Sequence, residues 1–221
     1  MQRIPEPTEL MDDPAQARAY ADADFETPHA AFIDKLIELY PTASPAQILE
    51  PGCGTGDITW RLVEAYPGVY IDAVDGARAM LGIATKLLKS KGANKRVKLL
   101  EKYLPCDALP SNHYDAVICN AMLHHLESPT VLWQTVKHCA REGALIFIMD
   151  LARPKDTKTA ASIVAREAAN EAEILKTDFY HSLLAAYTPA EVSEQLRECG
   201  LSNLEVCMHG EYHLLVHGII C

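Results

Sequence analysis

Three alternating glycines mark the stretch of this chain whose residues could meet a ligand. Gly52, Gly54 and Gly56 follow the apolar pair Ile48-Leu49 and precede a segment that reads as the start of a helix. Glycine adopts backbone conformations that other residues avoid, and it has no side chain to keep a ligand away. A tight glycine turn between a strand and a helix therefore brings the backbone close to a nucleotide-like ligand. The spacing also occurs in ordinary loops, so alone it is a weak motif.

An acidic residue lies a suitable distance beyond this turn. Asp75 ends an apolar segment 19 positions after Gly56, where a carboxylate can accept hydrogen bonds from both hydroxyls of a ribose. The alternative is that Asp75 caps a helix beginning at Gly76, but the upstream glycine turn favours ribose binding. Met80 and Leu81 could form an apolar wall for an adenine ring or belong to the core.

Polar side chains also follow two later apolar segments. His124 and His125 come shortly after one segment that ends at Asn120, and Asp150 and Arg153 end the next. Histidine has an ordinary pKa of about 6.5 and serves as a general base near neutral pH. We predict that His124 or His125 is catalytic, that Asn120 lines the ligand pocket, and that Asp150 and Arg153 hold a polar substrate. The alternatives are structural histidines and an Asp-Arg surface pair.

The elements that must position these residues alternate between strand and helix patterns. We predict strands at 48–49, 69–74, 97–103, 115–120, 144–149, 204–209 and 212–220. Helices are predicted at 14–25, 27–40, 58–66, 76–91, 128–141, 159–175 and 188–200, and residues 178–181 lead into another short helical stretch. Thr27-Pro28 and Thr188 to Glu191 are starting signals. This order predicts an α/β fold with a doubly wound, mostly parallel sheet and an antiparallel C-terminal hairpin. In such sheets ligands bind beyond the carboxyl ends of the strands.

The composition excludes several classes of partner. The net charge of −10 argues against nucleic-acid binding, and the sequence contains no apolar run long enough to span a bilayer. The first residues lack the features of a signal peptide, so a cytoplasmic location is expected. The seven cysteines show no metal-binding or disulfide spacing, which predicts reduced thiols and no metal site. We expect a monomer or a homodimer.

These motifs resemble the class I S-adenosylmethionine-dependent methyltransferases, in their small-molecule branch. The resemblance rests on Glu50-x-Gly52-x-Gly54-x-Gly56, on Asp75, on Tyr114 to Val117, and on Leu123-His124-His125-Leu126. Gly143 before the fifth strand and the terminal hairpin also fit the family. The resemblance therefore covers about residues 45 to 220. It implies a Rossmann-like fold with a seven-stranded sheet.

The resemblance also implies a cofactor, S-adenosylmethionine, with S-adenosylhomocysteine as the product. Gly52 and Gly54 would pass close to its methionine part, Glu50 would lie near its amino group, and Asp75 would bind its ribose. Cys53, Gly76, Met80 and Asn120 complete the expected cofactor site. The implied reaction is methyl transfer to a nitrogen or oxygen atom, with sulfur ranked after them, of a small polar metabolite.

Two features bear on alternatives to this interpretation. An NAD-type oxidoreductase has the pattern GxGxxG, whereas the charged Asp57 follows Gly56 here. A protein that binds S-adenosylmethionine without catalysis remains a second alternative. The family usually carries an acidic residue at the end of the third strand, but Tyr103 occupies that position and Asp107 follows only later.

Substrate contacts are expected outside the sheet. We predict an N-terminal helical cap at residues 1–44 and a methyltransferase domain at 45–221 with a lid insertion at about 154–187. Residues 1–13 are rich in proline and are expected to be poorly ordered. The cap and lid offer candidate substrate-binding and catalytic residues: Tyr20, Phe25, Phe179 and Tyr180 for binding, and Tyr180 and His181 for catalysis.

Overall fold

The computed structural model describes residues 1–7 and 10–221. Its strands are β1 (Gln47–Pro51), β2 (Tyr70–Asp75), β3 (Val97–Glu101), β4 (Tyr114–Asn120), β5 (Ala140–Leu151), β6 (Glu205–His209) and β7 (His213–Ile219). Its helices are α1 (Pro14–Asp22), α2 (Glu26–Leu39), α3 (Asp57–Ala65), α4 (Arg78–Ser90), α5 (Thr130–Cys139), α6 (Thr157–Glu167), α7 (Glu173–Ala185) and α8 (Pro189–Glu198). A single 3₁₀ turn covers Leu123–His125.

The seven strands form one sheet in the order β3-β2-β1-β4-β5-β7-β6. Strands β1 to β5 are parallel, and β7 runs antiparallel to both β5 and β6. The predicted Rossmann-like sheet with its C-terminal hairpin is therefore confirmed. The strand order reverses between β1 and β4, and ligands of open α/β sheets bind at that switch point.

Each face of the sheet packs against its own group of helices. On one face Phe32 of α2 meets Phe147 of β5 edge to face, with ring centroids 5.1 Å apart. On the other face Trp133 of α5 is fully buried among residues of β4, β5 and α8. Because both faces are covered, β4 is buried along almost its whole length, which explains its continuous apolar sequence.

Three predicted helix boundaries are wrong. Helix α2 begins at Glu26, so Thr27 does not cap it. Helix α5 ends at Cys139, and Gly143 lies within β5 rather than closing a helix. The two helical stretches predicted at 159–175 and from 178 onward are present, but the break between them is wrong: α6 ends at Glu167 and α7 begins at Glu173, because the chain turns there to pack α7 back on α6. The packing of α7 on α6 requires this turn, although the local sequence favours a continuous helix.

Residues 1–7, which were expected to be poorly ordered, make defined contacts with the rest of the chain. They pack in the structure between α7 and the 3₁₀ turn that follows β4. The Ile4 amide donates to the Leu184 carbonyl at 3.0 Å. The Arg3 guanidinium donates to the carbonyl oxygens of Ala185, His124 and Leu126 at 2.6–3.0 Å. Thr8 and Glu9, which share the predicted poor order, lie outside the described residues.

Two further expectations can be compared with the structure. All seven cysteines are free thiols in the described chain. None of the helices in residues 1–7 and 10–221 is long and apolar enough to cross a membrane.

Candidate functional site

The glycine turn lies between β1 and α3 and has the left-handed backbone that its residue type predicts. Gly52, Gly54 and Gly56 have φ angles of +70°, +51° and +81°. A β-carbon on Gly52 would lie 2.8 Å from Met122, so this glycine is needed for packing. A β-carbon on Gly54 would meet no described atom within 4 Å, so this glycine borders open space. The backbone at Gly54 is therefore accessible to a ligand.

Asp75 at the end of β2 holds the turn in place. One oxygen of its carboxylate accepts a hydrogen bond from the Gly54 amide at 2.8 Å, and the other accepts one from the Ala77 amide at 2.8 Å. Burial raises the pKa of Asp75. The residue preceding α4 is Ala77, so Asp75 is not the helix N-cap. Each carboxylate oxygen has a second lone pair, which can accept from a hydroxyl group.

Glu50 at the end of β1 is buried with an unsatisfied oxygen. Its side chain is 2% exposed, and its Oε2 has no hydrogen-bond partner among the described residues. Burial, together with the charges of Asp75 and Asp57, raises its pKa to about 8. A buried acceptor without a partner is costly, so such an atom in a folded protein calls for an explanation. An amino group of a ligand would satisfy it, as the resemblance implies for this position.

The two residues expected to wall an adenine ring belong to different apolar clusters, Leu81 to the core on the α2 and α3 face of the sheet and Met80 to a small cluster with α1. Met80 is buried against Ala17 of α1 and Ala77, so it packs on the N-terminal helix. A β-carbon on Gly76 would lie 2.9 Å from Leu10 and 3.2 Å from Tyr103. Tyr103, which replaces the family's acidic residue, therefore lies over Gly76. Its position, and that of Leu10, could not be read from the sequence.

Cys53 and Asn120 complete the predicted cofactor set. The Cys53 amide donates to the Val74 carbonyl at 3.1 Å, which ties the glycine turn to β2. The thiol of Cys53 is buried, and burial raises its pKa. Asn120 ends β4 and is half-buried next to the 3₁₀ turn. Both lie on the carboxyl side of the sheet.

His124 and Asp150 form a buried pair. The Nδ1 atom of His124 lies 2.6 Å from Asp150, and the amides of Leu123 and Leu151 donate to the same carboxylate at 2.7 Å. Burial disfavours the charged forms of both side chains, but the charge and hydrogen bond of each side chain favour the charged form of its partner. The pKa of His124 is therefore raised and the pKa of Asp150 is lowered. The Asp150 carboxylate is thus committed to holding the 3₁₀ turn, and its predicted contact with substrate is not supported.

His125 forms a second pair, with a carboxylate from the N-terminal segment. Its Nδ1 atom lies 2.5 Å from Oε2 of Glu6, and the Ser182 hydroxyl donates to Oε1 of Glu6 at 2.5 Å. Burial opposes the charge of Glu6, but the hydrogen bond and charge of His125 outweigh it and lower the pKa of Glu6 to about 2. Glu6 was missed in the sequence because it lies 119 residues from His125 in a segment expected to be poorly ordered.

Arg153 has a structural partner. Its guanidinium contacts Glu191 at 2.6 Å and donates to the Ala186 carbonyl at 3.1 Å. Glu191 also completes the capping box with Thr188, so that prediction is confirmed. The predicted substrate contact of Arg153 is not supported, and in the described chain no Asp150–Arg153 pair forms either.

Aromatic residues of the cap border the glycine turn. Tyr20 and Phe25 lie with ring centroids 4.7 Å apart, and Phe25 stacks on His29 at 5.2 Å. They line a cavity of about 250 Å³ together with Thr55 and Asp57. Residues of the N-terminal helices thus share a cavity with residues of the glycine turn. The substrate-binding roles of Tyr20 and Phe25 stay predictions.

The predicted lid residues on α7 have mixed surroundings. Phe179 and Tyr180 pack on the apolar cluster between α6 and α7, and Phe179 meets Tyr212 at 5.9 Å. His181 is half-buried, but it is the next residue, Ser182, that contacts Glu6. The catalytic roles of Tyr180 and His181 therefore stay predictions without a supporting contact.

Asp57 joins α2 to α3, the helix that follows the glycine turn. Its carboxylate lies 2.6 Å from Nδ1 of His29 and accepts from Nε1 of Trp60 and Nε of Arg61 at 2.8 Å. Burial opposes its charge, but the hydrogen bonds from His29 and Arg61 prevail and hold its pKa well below the usual range. The three partners explain why a charged residue follows Gly56.

Comparisons with known proteins agree with this arrangement. The model of a family described as "Methyltransferase domain" matches residues 49–146. A malonyl-[acyl-carrier protein] O-methyltransferase of Bacillus cytotoxicus is 35% identical over 116 residues, which are 52% of this chain and 39% of the relative. The chain thus matches well under half the length of that curated relative.

Two solved structures share the fold over nearly the whole chain. A SAM-dependent methyltransferase from Aquifex aeolicus has a TM-score of 0.68 at 18% identity, covering 95% of this chain and 99% of its own. The plantazolicin methyltransferase BpumL in complex with SAH has a TM-score of 0.69 at 15% identity, covering 94% and 91%. Residues 49–146 thus match a methyltransferase domain, and the two solved structures share the fold of the whole chain.

Proposed function

We propose that this protein binds S-adenosylmethionine at the ends of β1, β2 and β4 and transfers its methyl group to a small polar molecule. The observation that carries the proposal is the buried oxygen of Glu50 without a partner in the described chain, beside an open glycine turn. Both features fit the amino-acid end of this cofactor. BpumL, which shares the fold, was solved with SAH.

In this proposal each end of the cofactor has its own group of residues. Glu50 accepts a hydrogen bond from the cofactor's amino group, and the backbone of Gly52, Cys53 and Gly54 lies along its methionine part. Asp75 accepts from the ribose hydroxyls with the lone pairs that the Gly54 and Ala77 amides leave free. Three further residues border the adenine and sulfur ends: Gly76, Met80 and Asn120.

In this reaction the main task of the protein is to orient the cofactor and the substrate. The cofactor supplies an activated methyl group, which a nucleophile of the substrate attacks in line as the sulfur leaves. The chain's residues hold the two reactants in register and exclude water, and a fixed near-attack geometry is a large part of catalysis in such reactions. The N-terminal segment and α7 cover the histidine pair and serve this exclusion.

We place the acceptor group beside His125. His124 is buried, whereas His125 is half-buried and faces the N-terminal segment. A nitrogen or oxygen acceptor with a proton to lose is helped by an imidazole within reach. The relative from Bacillus cytotoxicus is named an O-methyltransferase, which favours oxygen over nitrogen and sulfur. The polar groups of Glu6, Ser182 and the two histidines favour a small polar substrate.

The cap and the lid are part of this proposal. We propose that residues 1–44 form the cap over the domain at 45–221, and that about 154–187 form the lid. Helix α1 packs on α4 through Ala17 and Met80, and Gln16 donates to Asp178 of α7 at 2.8 Å. These contacts of α1 with α4 and α7 support a cap and a lid that meet over the carboxyl ends of the strands. A monomer or homodimer in the cytoplasm remains our expectation.

The experiment that tests the proposal is a calorimetric titration with S-adenosylhomocysteine and, separately, with NAD⁺. We expect one molecule of S-adenosylhomocysteine to bind with micromolar affinity and NAD⁺ not to bind. The reverse preference would favour an oxidoreductase and overturn the proposal.

A second experiment separates catalysis from binding alone. The protein is incubated with S-adenosylmethionine labelled in its methyl group and a panel of small phenols, carboxylic acids and amines. We expect labelled product with at least one oxygen acceptor. Tight cofactor binding without transfer to any member of a broad panel would favour a non-catalytic binding protein.

A further inference from the structure

Three potential metal ligands meet at the carboxyl end of β4. Glu6, His124 and His125 each offer one donor atom, and these atoms lie within 4.8 Å of one another. They come from two distant parts of the chain, because Glu6 belongs to the N-terminal segment and the histidines to the 3₁₀ turn. Two imidazoles and one carboxylate are a ligand set that holds zinc and other first-row divalent cations in proteins, with positions left open.

Outer partners hold two of the three side chains. Asp150 contacts Nδ1 of His124 at 2.6 Å, which leaves Nε2 as that ring's nitrogen for a ligand. Ser182 donates to Oε1 of Glu6 at 2.5 Å, which leaves Oε2 beside His125. Metal-bound histidines commonly donate their other ring nitrogen to a carboxylate, and metal-bound carboxylates are themselves hydrogen-bonded. The His124–Asp150 and Glu6–Ser182 contacts have this arrangement.

The charges around the cluster leave room for a cation. The carboxylates of Glu6 and Asp150 both contact the histidine pair. The positive charge nearby belongs to Arg3, but its guanidinium donates to the carbonyl oxygens of His124, Leu126 and Ala185. Both carboxylates are paired with the histidines, and metal-bound histidines are neutral. A divalent cation between the histidines and Glu6 would therefore replace the protons of the histidines as the positive charge beside the two carboxylates.

We propose that Glu6, His124 and His125 form a binding site for one divalent cation such as Zn²⁺ or Mn²⁺. The site departs from our sequence-based expectation of no metal. This part of the inference rests on the proposed function: the open coordination positions of the cation would hold the oxygen of the methyl acceptor. A bound cation lowers the pKa of a coordinated hydroxyl and so favours the nucleophilic form of an oxygen acceptor.

The chain contains a natural control for this proposal. Glu205, Cys207 and His217 form a second group with three donor atoms within 4.8 Å. It lies on β6 and β7 at the far edge of the sheet, and Glu205 is largely exposed. Unlike the first group, it includes a thiol, so the two sites differ in their spectra when Co²⁺ is bound.

The test is a titration of chelator-treated protein with Zn²⁺ and with Mn²⁺, followed by calorimetry. Wild type is compared with Glu6→Gln, His125→Ala and the control Glu205→Gln. We expect one equivalent to bind wild type and Glu205→Gln alike, and at least tenfold weaker binding by Glu6→Gln and His125→Ala. Glu6→Asp should restore part of the affinity. Circular dichroism verifies that each variant is folded.

Spectra with Co²⁺ give a second readout. We expect the visible bands of nitrogen and oxygen ligands, without the near-ultraviolet charge-transfer band of a cobalt–thiolate bond. Unchanged affinity in Glu6→Gln, or a thiolate band lost in Cys207→Ser, would overturn the proposal and leave a hydrogen-bonded histidine pair only. Binding of S-adenosylhomocysteine to wild type is measured in parallel, so that failure of the proposed function is distinguished from failure of the cation site.

Discussion

The carboxyl group of Glu50 lies in surroundings that penalise its charge. It is buried at the end of β1, with one oxygen unpaired among the described residues and two carboxylates nearby. A ligand's positive amino group would compensate that charge. In the proposed function, Glu50 lowers the stability of the free protein and in return binds the cofactor, a common trade-off in binding sites.

Glu50→Gln should separate stability from binding. The folded pKa of Glu50 is about 8 against an ordinary 4.5, so between these values the folded state holds a proton that the unfolded state has released. Stability should therefore fall as pH rises across this range, by up to about 1.4 kcal/mol per pH unit. The variant should lose this slope and be the more stable protein at pH 8, measured by urea denaturation at several pH values.

The same variant should bind S-adenosylhomocysteine about tenfold to hundredfold more weakly, because a hydrogen bond to a charged group contributes about 1.5–3 kcal/mol. Glu64→Gln is the matched control, since Glu64 is an exposed residue on α3. Equal affinities of wild type and Glu50→Gln would remove Glu50 from the cofactor site.

Gly54→Ala and Gly68→Ala form a second matched pair. Both glycines have positive φ angles, +51° and +89°, and an added β-carbon meets no described atom within 4 Å at either position. Each substitution should cost about 1–2 kcal/mol of stability, because alanine is strained in this conformation. Only Gly54→Ala should abolish calorimetric binding of S-adenosylhomocysteine. If Gly68→Ala weakened binding equally, the effect of Gly54 would be one of general stability.

At the scale of elements, the N-terminal segment acts as a strap across the histidine pair. Arg3 ties it to the 3₁₀ turn and to the end of α7, and its guanidinium lies 4.3 Å from the centre of the Tyr187 ring. Glu6 then reaches His125 and Ser182. A segment without secondary structure thus connects two elements of the site.

Arg3→Ala should loosen this strap. The lost hydrogen bonds and the contact with Tyr187 should cost about 2–3 kcal/mol of unfolding free energy. Hydrogen exchange should quicken at the amides of Leu123 to Leu126. The control is Arg18→Ala, whose side chain is 70% exposed and pairs only with Asp22 among the described residues; it should change stability by less than about 0.5 kcal/mol. Equal effects of the two variants would contradict the role of the strap.

At the scale of the whole molecule, one ionic network links α2 to α3, the helix that follows the glycine turn. Asp57 on α3 contacts His29 on α2 and Arg61, and Arg61 contacts Glu26 at the start of α2 at 2.6 Å. The Arg61 side chain is only 10% exposed. Removing Asp57 leaves the nearly buried Arg61 with the exposed Glu26 as its acidic partner and takes the carboxylate away from His29. This loss is more costly than that of a surface pair.

Asp57→Asn should destabilise the protein by about 2–3 kcal/mol at pH 7. Because the folded pKa of Asp57 is depressed, its contribution is present above the unfolded value of about 3.9 and is lost as pH falls toward the folded pKa. The difference between wild type and variant should therefore shrink below about pH 4. The free energy of unfolding is measured by denaturation at pH 7, 5 and 3. Asp22→Asn is the control, because Asp22 belongs to an exposed ion pair. A difference independent of pH would contradict an ionic role.

Much of the architecture could be predicted from local patterns. Hydrophobic runs located all seven strands, and the glycine turn, Asp75 and the capping box at Thr188 were found because each depends on neighbours within a few residues. The end of β3 was less informative, because Tyr103 stands where the family places an acid. Helix ends at α5 and α6 were misplaced, since packing against other elements decides where a helix stops.

The sequence by itself determined the fold class and the cofactor-type motif, because strand periodicity and glycine conformation are local properties. Only the tertiary structure decided the partners of the polar residues. Asp150 became the partner of His124, Arg153 that of Glu191, and Glu6 that of His125. These pairs join residues 26 to 119 positions apart. The chain must fold before such charges meet, so spacing along the sequence carries no trace of their pairing.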